Sequence, residues 1–163
     1  MSISAEQIKK LREETGISVM QCKEALTEAQ GDSEKAIELL RKRGSSIAAK
    51  KADRELGSGT VASYVHNTKD IGVLITLLCE TDFVAKNEEF VVLARDIAMH
   101  IAASNPVVVS SEDDPDVASE AVLLDQPFIK DQDKTVRDLI EAATQKFGEK
   151  IAVSQFVRFS VRG

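Results

Sequence analysis

The sequence predicts an α+β protein in which three short helices precede a helical linker and a three-stranded antiparallel sheet packed with helices. Residues 1–44 contain three apolar patterns of helical spacing, each preceded by a capping residue and followed by a glycine. Beyond a glycine-rich break at residues 57–59, three segments have the composition or alternation of strands. We therefore divide the chain into a helical head (1–44), a helical linker (45–58) and an α+β body (59–163).

The head helices are predicted from their start signals. Ser4 and Ser18 are each followed three residues later by glutamine, which is the pattern of a capping box, and Asp32 can cap a third helix that ends near Gly44. Helices this short are unstable alone, so we expect them to pack as a bundle. Six basic residues against one acidic residue lie in residues 41–54, which indicates a solvated helical face or, alternatively, a contact for phosphates or an acidic partner.

The body is predicted from alternating strand and helix signals. Residues 60–66 and 71–79 are rich in β-branched side chains and are separated by a polar hairpin turn. Asn87 caps a long helix that ends before residue 105. Residues 112–133 hold eight acids and one lysine, so we expect an exposed irregular connection with one helical turn.

The C-terminal part completes the predicted sheet. Thr135 begins a helix that Gly148 ends, and the alternation of residues 151–161 predicts a strand with one covered face. We expect this helix and the helix after Asn87 to lie behind the sheet. Because residues 71–79 are apolar on both faces, the second face of the sheet also needs a cover. A second copy of the chain would supply it in a symmetric dimer; the alternative is a monomer in which the linker and the acidic segment cover it.

Composition argues against several classes of protein. The 163 residues hold 21 basic and 27 acidic side chains and no apolar run long enough to span a membrane. The charged N-terminus does not resemble a signal peptide, so we expect a cytoplasmic protein. Two cysteines without zinc-type spacing predict reduced thiols and no metal. No phosphate-binding glycine motif occurs, and the sequence predicts no cofactor and no direct nucleotide binding.

One combination of residues could suggest a thiol hydrolase. Cys79, His66 and Asp82 are expected near one end of the hairpin, but a nucleophilic cysteine needs a base within hydrogen-bond reach and an oxyanion hole. Neither can be inferred from spacing, and a cysteine in an apolar strand is usually a buried small side chain. We therefore predict that the protein is not an enzyme.

The segment 80–87 is the most unusual one in the sequence. Phe83 follows Asp82 between a strand and a helix, where it could be a core residue with Asp82 as a helix cap, or an anchor for a partner's pocket. His66 is expected to be exposed in the hairpin turn, and His100 to lie at the surface or edge. Met20 and Lys23 lie outside the predicted core face of their helix, and an exposed methionine beside a lysine indicates an interaction surface.

Several long motifs in order resemble a known family. They are IKKLREETG at residues 8–16, MQCKEAL at 20–26, CETDFVAKN at 79–87, MHIAASNP at 99–106, QPF at 126–128 and FVRF at 156–159. Together they resemble the translation elongation factor Ts family, whose members are guanine-nucleotide exchange factors for elongation factor Tu. The resemblance covers nearly the whole chain and implies a role in protein biosynthesis.

The resemblance also implies a partner-binding surface. The head would be a ubiquitin-associated-like module that docks on the GTPase domain of elongation factor Tu. The Asp82 and Phe83 pair would press into the partner near its magnesium site, and His66 would contact the same region. The residues that match contact positions in the family are Arg12, Val19, Met20, Lys23, His66, Asp82 and Phe83.

The chain departs from the family in two ways. Many members have a longer core with two halves that carry the SYxH and TDFVAK motifs separately, whereas here both lie on one hairpin, as in short forms that act as dimers. Residues 107–125 are too short and acidic for the two long helices of the family's helical hairpin. The alternative from another class is a non-catalytic adaptor, with a ubiquitin-associated-like head and a dimerising body.

Overall fold

Three helices form most of the first of two units in the computed structural model, which describes residues 2–163. They are α1 (Ala5–Thr15), α2 (Val19–Glu28) and α3 (Ser33–Lys50). Their N-caps are those predicted: Ser4 forms a complete capping box, the Ser18 side chain accepts from the amide of Gln21, and Asp32 accepts from the first-turn amides of α3. The structure thus contains the three predicted N-terminal helices.

The core of this unit combines small side chains with leucine and isoleucine. Cys22, Ala25, Leu26 and Ala36 are fully buried, and Leu11 and Leu40 are nearly so. Alanine and cysteine side chains are short, so the helix backbones can approach closely and even helices of ten or eleven residues share a dry core.

The third helix is longer than predicted, because Gly44 does not end it. Gly44 is buried inside α3, which continues to Lys50. The first unit also includes Glu141–Glu149 from near the C-terminus. A Cβ atom on Gly44 would lie 3.0 Å from Oε1 of Gln145 and 3.5 Å from the carbonyl oxygen of Glu141. Gly44 therefore serves close packing of the helix against this segment.

The second unit comprises Arg54–Ile140 and Lys150–Gly163. A three-stranded sheet of order β1-β2-β5, with both neighbouring pairs antiparallel, forms its centre, as predicted. The turn between β1 and β2 lies where it was predicted. In chain order the elements are β1 (Ser58–Val65), β2 (Ile71–Cys79), α4 (Asp82–Ala85), α5 (Glu88–Ser104), β3 (Pro127–Phe128), β4 (Asp131–Thr135), α6 (Val136–Phe147) and β5 (Ala152–Ser160).

One face of the sheet, here called the inner face, carries the core of this unit. The buried side chains of β2 are Val73, Ile75, Leu77 and Cys79. Helix α5 packs against β1 and β2 and buries its apolar stripe, which includes Phe90, Ile97 and Ile101. Of the two helices expected behind the sheet, α5 lies there, whereas α6 joins the first unit from Glu141 onward.

The last strand contains an irregularity that alternation alone did not predict. Thr76 of β2 pairs with Gln155, but the next residue, Leu77, pairs with Val153, so Ser154 is an extra residue in β5. Such a bulge reverses the face on which the following side chains lie. Val153 is therefore buried on the inner face, whereas Phe159, expected on the same covered face, is 68% exposed on the other.

The acidic segment (112–133) is irregular, as predicted, but the expectation that it is exposed was wrong for part of it, because Val122 and Leu123 are fully buried. It holds short 3-10 turns at Ser119–Ala121 and Leu123–Asp125 and a bridge between Val108 and Val122. Strands β3 and β4 pair with each other in a two-stranded sheet that was not predicted.

His100 is fully buried, so the expectation of a surface or edge position was wrong. The amide of Ile129 donates to Nδ1 at 3.2 Å, and Nε2 therefore donates to the Gln126 side chain at 2.9 Å. Gln126 in turn donates to the carbonyl oxygen of Glu120 at 2.8 Å, and the Phe128 ring stacks on the imidazole. Burial lowers the pKa of His100 below its ordinary value, against the opposing effect of the Gln126 hydrogen bond.

None of the helices described within residues 2–163 has the length and apolar character needed to cross a membrane.

Candidate functional site

The segment after β2 forms a tight turn that leads into a short helix. Thr81 is the N-cap of α4, and its Oγ1 accepts a hydrogen bond from the Val84 amide at 3.4 Å. The helix cap is thus Thr81. The alternative in which Phe83 is a core residue and Asp82 is the cap is wrong in this respect. Val84 and Ala85 are buried beneath the turn, which anchors it to the second unit.

Phe83 points away from this anchor. Its side chain is 85% exposed, more than any other large apolar side chain described. The core alternative is therefore wrong for Phe83. Exposure of a phenylalanine ring to water is unfavourable and does not stabilise the fold. An exposed ring on a turn that is itself anchored by buried residues is therefore typical of a residue that contacts another molecule.

His66 lies at the opposite end of the hairpin from Asp82. Its amide donates to the carbonyl oxygen of Ile71 at 2.9 Å, and its Nδ1 is hydrogen-bonded to the Tyr64 hydroxyl at 3.0 Å. In the turn beside it, a hydrogen bond from the Thr68 hydroxyl lowers the pKa of Asp70.

The strand register excludes the thiol hydrolase arrangement. Cys79 pairs with Ser58, at the far end of β1 from His66. Eight residues of strand at about 3.3 Å each separate these ends by roughly 25 Å, far beyond hydrogen-bond reach. The expectation that Cys79, His66 and Asp82 share one end was wrong. Cys79 is a buried thiol that donates to the Thr81 carbonyl oxygen at 3.2 Å.

The four candidate residues of the head are all exposed. Val19 and Met20 begin α2 and are 50% and 69% exposed, and Lys23 lies one turn after Val19 on the same side of the helix. Arg12 is exposed in the last turn of α1. Two large apolar side chains at the start of one helix form an uncovered patch beside a lysine, which fits a protein contact better than a solvated helical face.

The second face of the sheet, here called the outer face, is uncharged and exposes several large apolar side chains. Val61, Val65, Leu74, Val157 and Phe159 are between 40% and 68% exposed. None of the described strand residues oriented to this side is charged: they are Gly59, Val61, Ser63, Val65, Gly72, Leu74, Thr76, Leu78, Ala152, Gln155, Val157 and Phe159. The solvent-facing side of an antiparallel sheet normally carries polar side chains. The composition of the outer face therefore indicates that another protein surface covers it.

The sequence reasoning missed most of this face, although it noted the two apolar faces of β2. A signal existed in β1, where Val61 and Val65 occupy alternate positions from Tyr64 and Ala62. In β5 the bulge concealed the pattern. Among residues 2–163, no group of three or more histidine, cysteine, aspartate or glutamate side chains is placed to hold a metal ion.

Comparison with known proteins identifies the family. The family model described as Elongation factor TS matches residues 3–118 and 115–163. An elongation factor Ts from Thermodesulfovibrio yellowstonii is 45% identical over 194 aligned positions, which cover 99% of this chain and 97% of the relative. One from Thermosipho melanesiensis is 46% identical over 193 positions, covering 98% of each. One from Moorella thermoacetica is 45% identical, covering 98% of this chain and 95% of the relative.

The chain belongs to the elongation factor Ts family, and its role lies in translation elongation. The first of these alignments runs over 194 positions whereas the chain has 163 residues, so at least 31 positions of the relative have no counterpart here. The two parts of the family match meet at residues 115–118, within the acidic segment. In residues 107–125 the described structure contains 3-10 turns and no α-helix, which fits the absence of a helical hairpin at this point.

Proposed function

We propose that this protein is a guanine-nucleotide exchange factor that binds elongation factor Tu and promotes GDP release by disturbing its magnesium and phosphate site. The proposal rests on family membership and, in the structure, on Phe83, whose 85% exposed ring stands on a turn anchored by buried residues. A large aromatic side chain presented in this way can enter an apolar pocket of the partner. The protein would act in the cytoplasm, without a cofactor and without binding the nucleotide itself.

The mechanism is a thermodynamic linkage and requires no covalent chemistry. A protein that binds the nucleotide-free partner more tightly than the GDP-bound partner weakens GDP binding by the same factor. Displacing a magnesium ion, or the loop that holds the phosphates, removes charge neutralisation from the diphosphate. In this proposal Asp82 and Phe83 act together, and their exposure at adjacent positions of α4 supports it.

The head supplies a second contact in this proposal. Arg12, Val19, Met20 and Lys23 would bind the GTPase domain of elongation factor Tu through a ubiquitin-associated-like module. Their exposure and the apolar patch at the start of α2 support this role. Burial of Met20 and Val19 would contribute affinity, and the basic side chains would select an acidic partner surface.

We further propose that the protein acts as a symmetric homodimer through the outer face. His66 and Phe83 lie at opposite ends of one hairpin, so a single copy cannot bring both to one small region of a partner. In a face-to-face dimer, a two-fold axis that lies between the two outer faces and runs perpendicular to β2 would bring His66 of one protomer to the same end as Phe83 of its partner. It would also cover the uncharged outer face with an identical apolar surface.

Release of mant-GDP from elongation factor Tu tests the exchange activity directly. Addition of this protein should accelerate release in proportion to its concentration and then saturate. An adaptor without exchange activity would bind the partner and leave the release rate unchanged, and that result would overturn the proposal.

Sedimentation equilibrium tests the dimer separately. We expect twice the chain mass of 17.8 kDa at micromolar concentration. Phe159→Asp places a charge on the outer face and should give the monomer mass, whereas Val92→Asp, at an exposed apolar position of α5, should leave the dimer intact. A mass of 17.8 kDa for the wild type across the concentration range would exclude the dimer.

A further inference from the structure

The start of β1 is held against the turn that carries Phe83. Strand register pairs Ser58 with Cys79, three residues before Asp82, and the Ser58 hydroxyl donates to Oδ1 of Asp82 at 2.5 Å. Gly59 permits this proximity, because a Cβ atom there would lie 2.5 Å from the carbonyl oxygen of Leu77. A side chain at position 59 would therefore force β1 away from the end of β2 and withdraw the serine.

Glu80 holds the same turn from its other side. Its side chain is only 15% exposed, and Oε2 accepts a hydrogen bond from the Lys150 amide at 2.9 Å. Oε1 accepts from Nη1 of Arg54 at 3.3 Å. The residue before the N-cap is thus bound both to the chain that enters β5 and to the chain that leads into β1.

We propose that Ser58 and Glu80 are positioning residues that fix the turn at residues 81–83 in its binding conformation before the partner arrives. Neither needs to touch the partner for this. A turn that is already ordered loses less conformational entropy on binding, so the same Phe83 contact yields higher affinity. The inference rests on the proposed function in one respect, because it takes Phe83 as the anchor.

Hydrogen exchange of the free protein tests the positioning without any partner. Ser58→Val removes the hydroxyl. Ser58→Thr is the matched control, because threonine has the shape of valine but keeps the hydroxyl. We expect Ser58→Val to accelerate exchange of the Val84 and Ala85 amides severalfold, with Ser58→Thr close to wild type and β2 amides unchanged in both. Equal exchange in the valine and threonine variants would overturn the role of the Ser58 hydroxyl.

A matched pair also exists at Glu80. Glu80→Gln keeps a side-chain oxygen for the Lys150 amide and removes only the charge opposite Arg54, whose own side chain is 58% exposed, so solvent screens part of this ion pair. Glu80→Ala loses both contacts. We expect the alanine variant to accelerate exchange in the turn and the glutamine variant to resemble wild type; if both resemble wild type, Glu80 does not position the turn.

Measurement of mant-GDP release with Ser58→Val, alone and combined with Phe83→Ala, then tests whether the order of the turn affects nucleotide release. Ser58→Val should raise the concentration of half-maximal mant-GDP release about three- to tenfold and leave the maximal rate nearly unchanged. In the Phe83→Ala background it should have no further effect. An additive effect would show that Ser58 acts independently of Phe83. If the wild type fails to release mant-GDP, the proposed function fails, whereas hydrogen exchange still decides the positioning role.

Discussion

Replacement of Phe83 by alanine separates partner binding from folding. Full burial of a phenylalanine side chain contributes about 2–3 kcal/mol to stability, but only about 15% of this side chain is shielded from solvent. Truncation should therefore cost about 0.3–0.5 kcal/mol, which lowers Tm by about 1–2 °C in a chain of this size. The same truncation at Phe90, which is fully buried, should cost about 3–5 kcal/mol.

The effect on nucleotide release should be far larger. A desolvated aromatic anchor commonly contributes about 2 kcal/mol or more to binding, and 2 kcal/mol corresponds to about 30-fold. We expect the apparent second-order rate constant for mant-GDP release from elongation factor Tu to fall by about this factor for Phe83→Ala. Val92→Ala truncates a different exposed apolar side chain, on α5, and should leave the rate unchanged.

Two results would refute this reasoning in different ways. A large fall in Tm for Phe83→Ala, comparable to that of Phe90→Ala, would show that the ring is part of the core in solution. A folded Phe83→Ala variant with the wild-type release rate would show that the exposed ring is not the anchor. Thermal unfolding followed by circular dichroism and stopped-flow fluorescence distinguish these outcomes on the same samples.

Three further predictions concern a pH effect, a truncation and a substitution. The folded pKa of His100 lies below its unfolded value of about 6.5, so the unfolded state binds the proton first as the pH falls. The free energy of unfolding in urea should therefore be highest above pH 6.5 and should decrease as the pH drops towards the folded pKa. His100→Gln should weaken this pH dependence, and an unchanged pH dependence in the variant would contradict the assignment. Removal of residues 1–50 uncovers the buried Gln145 side chain, so the remaining chain should fold with a lower Tm and lose most exchange activity; full activity would show that the head is dispensable. Cys79→Ser keeps a donor to the Thr81 carbonyl oxygen, and release should stay within about twofold of wild type; loss of activity with a native circular dichroism spectrum would contradict a purely structural thiol.

Much of the fold could be predicted because its signals are local. Capping serine, aspartate and asparagine side chains lie within three residues of the amides that they satisfy, so Ser4, Asp32 and Asn87 each marked a helix start that the structure contains. Strand β2 has the predicted bounds, since its β-branched and apolar run ends at polar residues on both sides. The unusual turn at Phe83 was recognisable for the same reason, although its exposure was not.

Errors arose where a distant segment decided the outcome. The sequence around Gly44 does not show whether this glycine ends a helix or allows another segment to pack closely against the helix. The second role becomes visible only through the contact with Gln145, a hundred residues later. His100 reads as an edge residue of a helix until the QPF segment folds over it and supplies Gln126 and Phe128. Neither partner can be found by spacing along the chain.

The sequence by itself determined the identity and order of most helices and strands and the residue types available for partner contact, because these depend on neighbours within a few positions. The tertiary structure decided which faces are covered. A single extra residue, Ser154, moves Phe159 from the predicted core to an exposed face, and the strand register places His66 and Phe83 at opposite ends of one hairpin. Strand pairing is non-local, so facing and distance follow from register and not from composition.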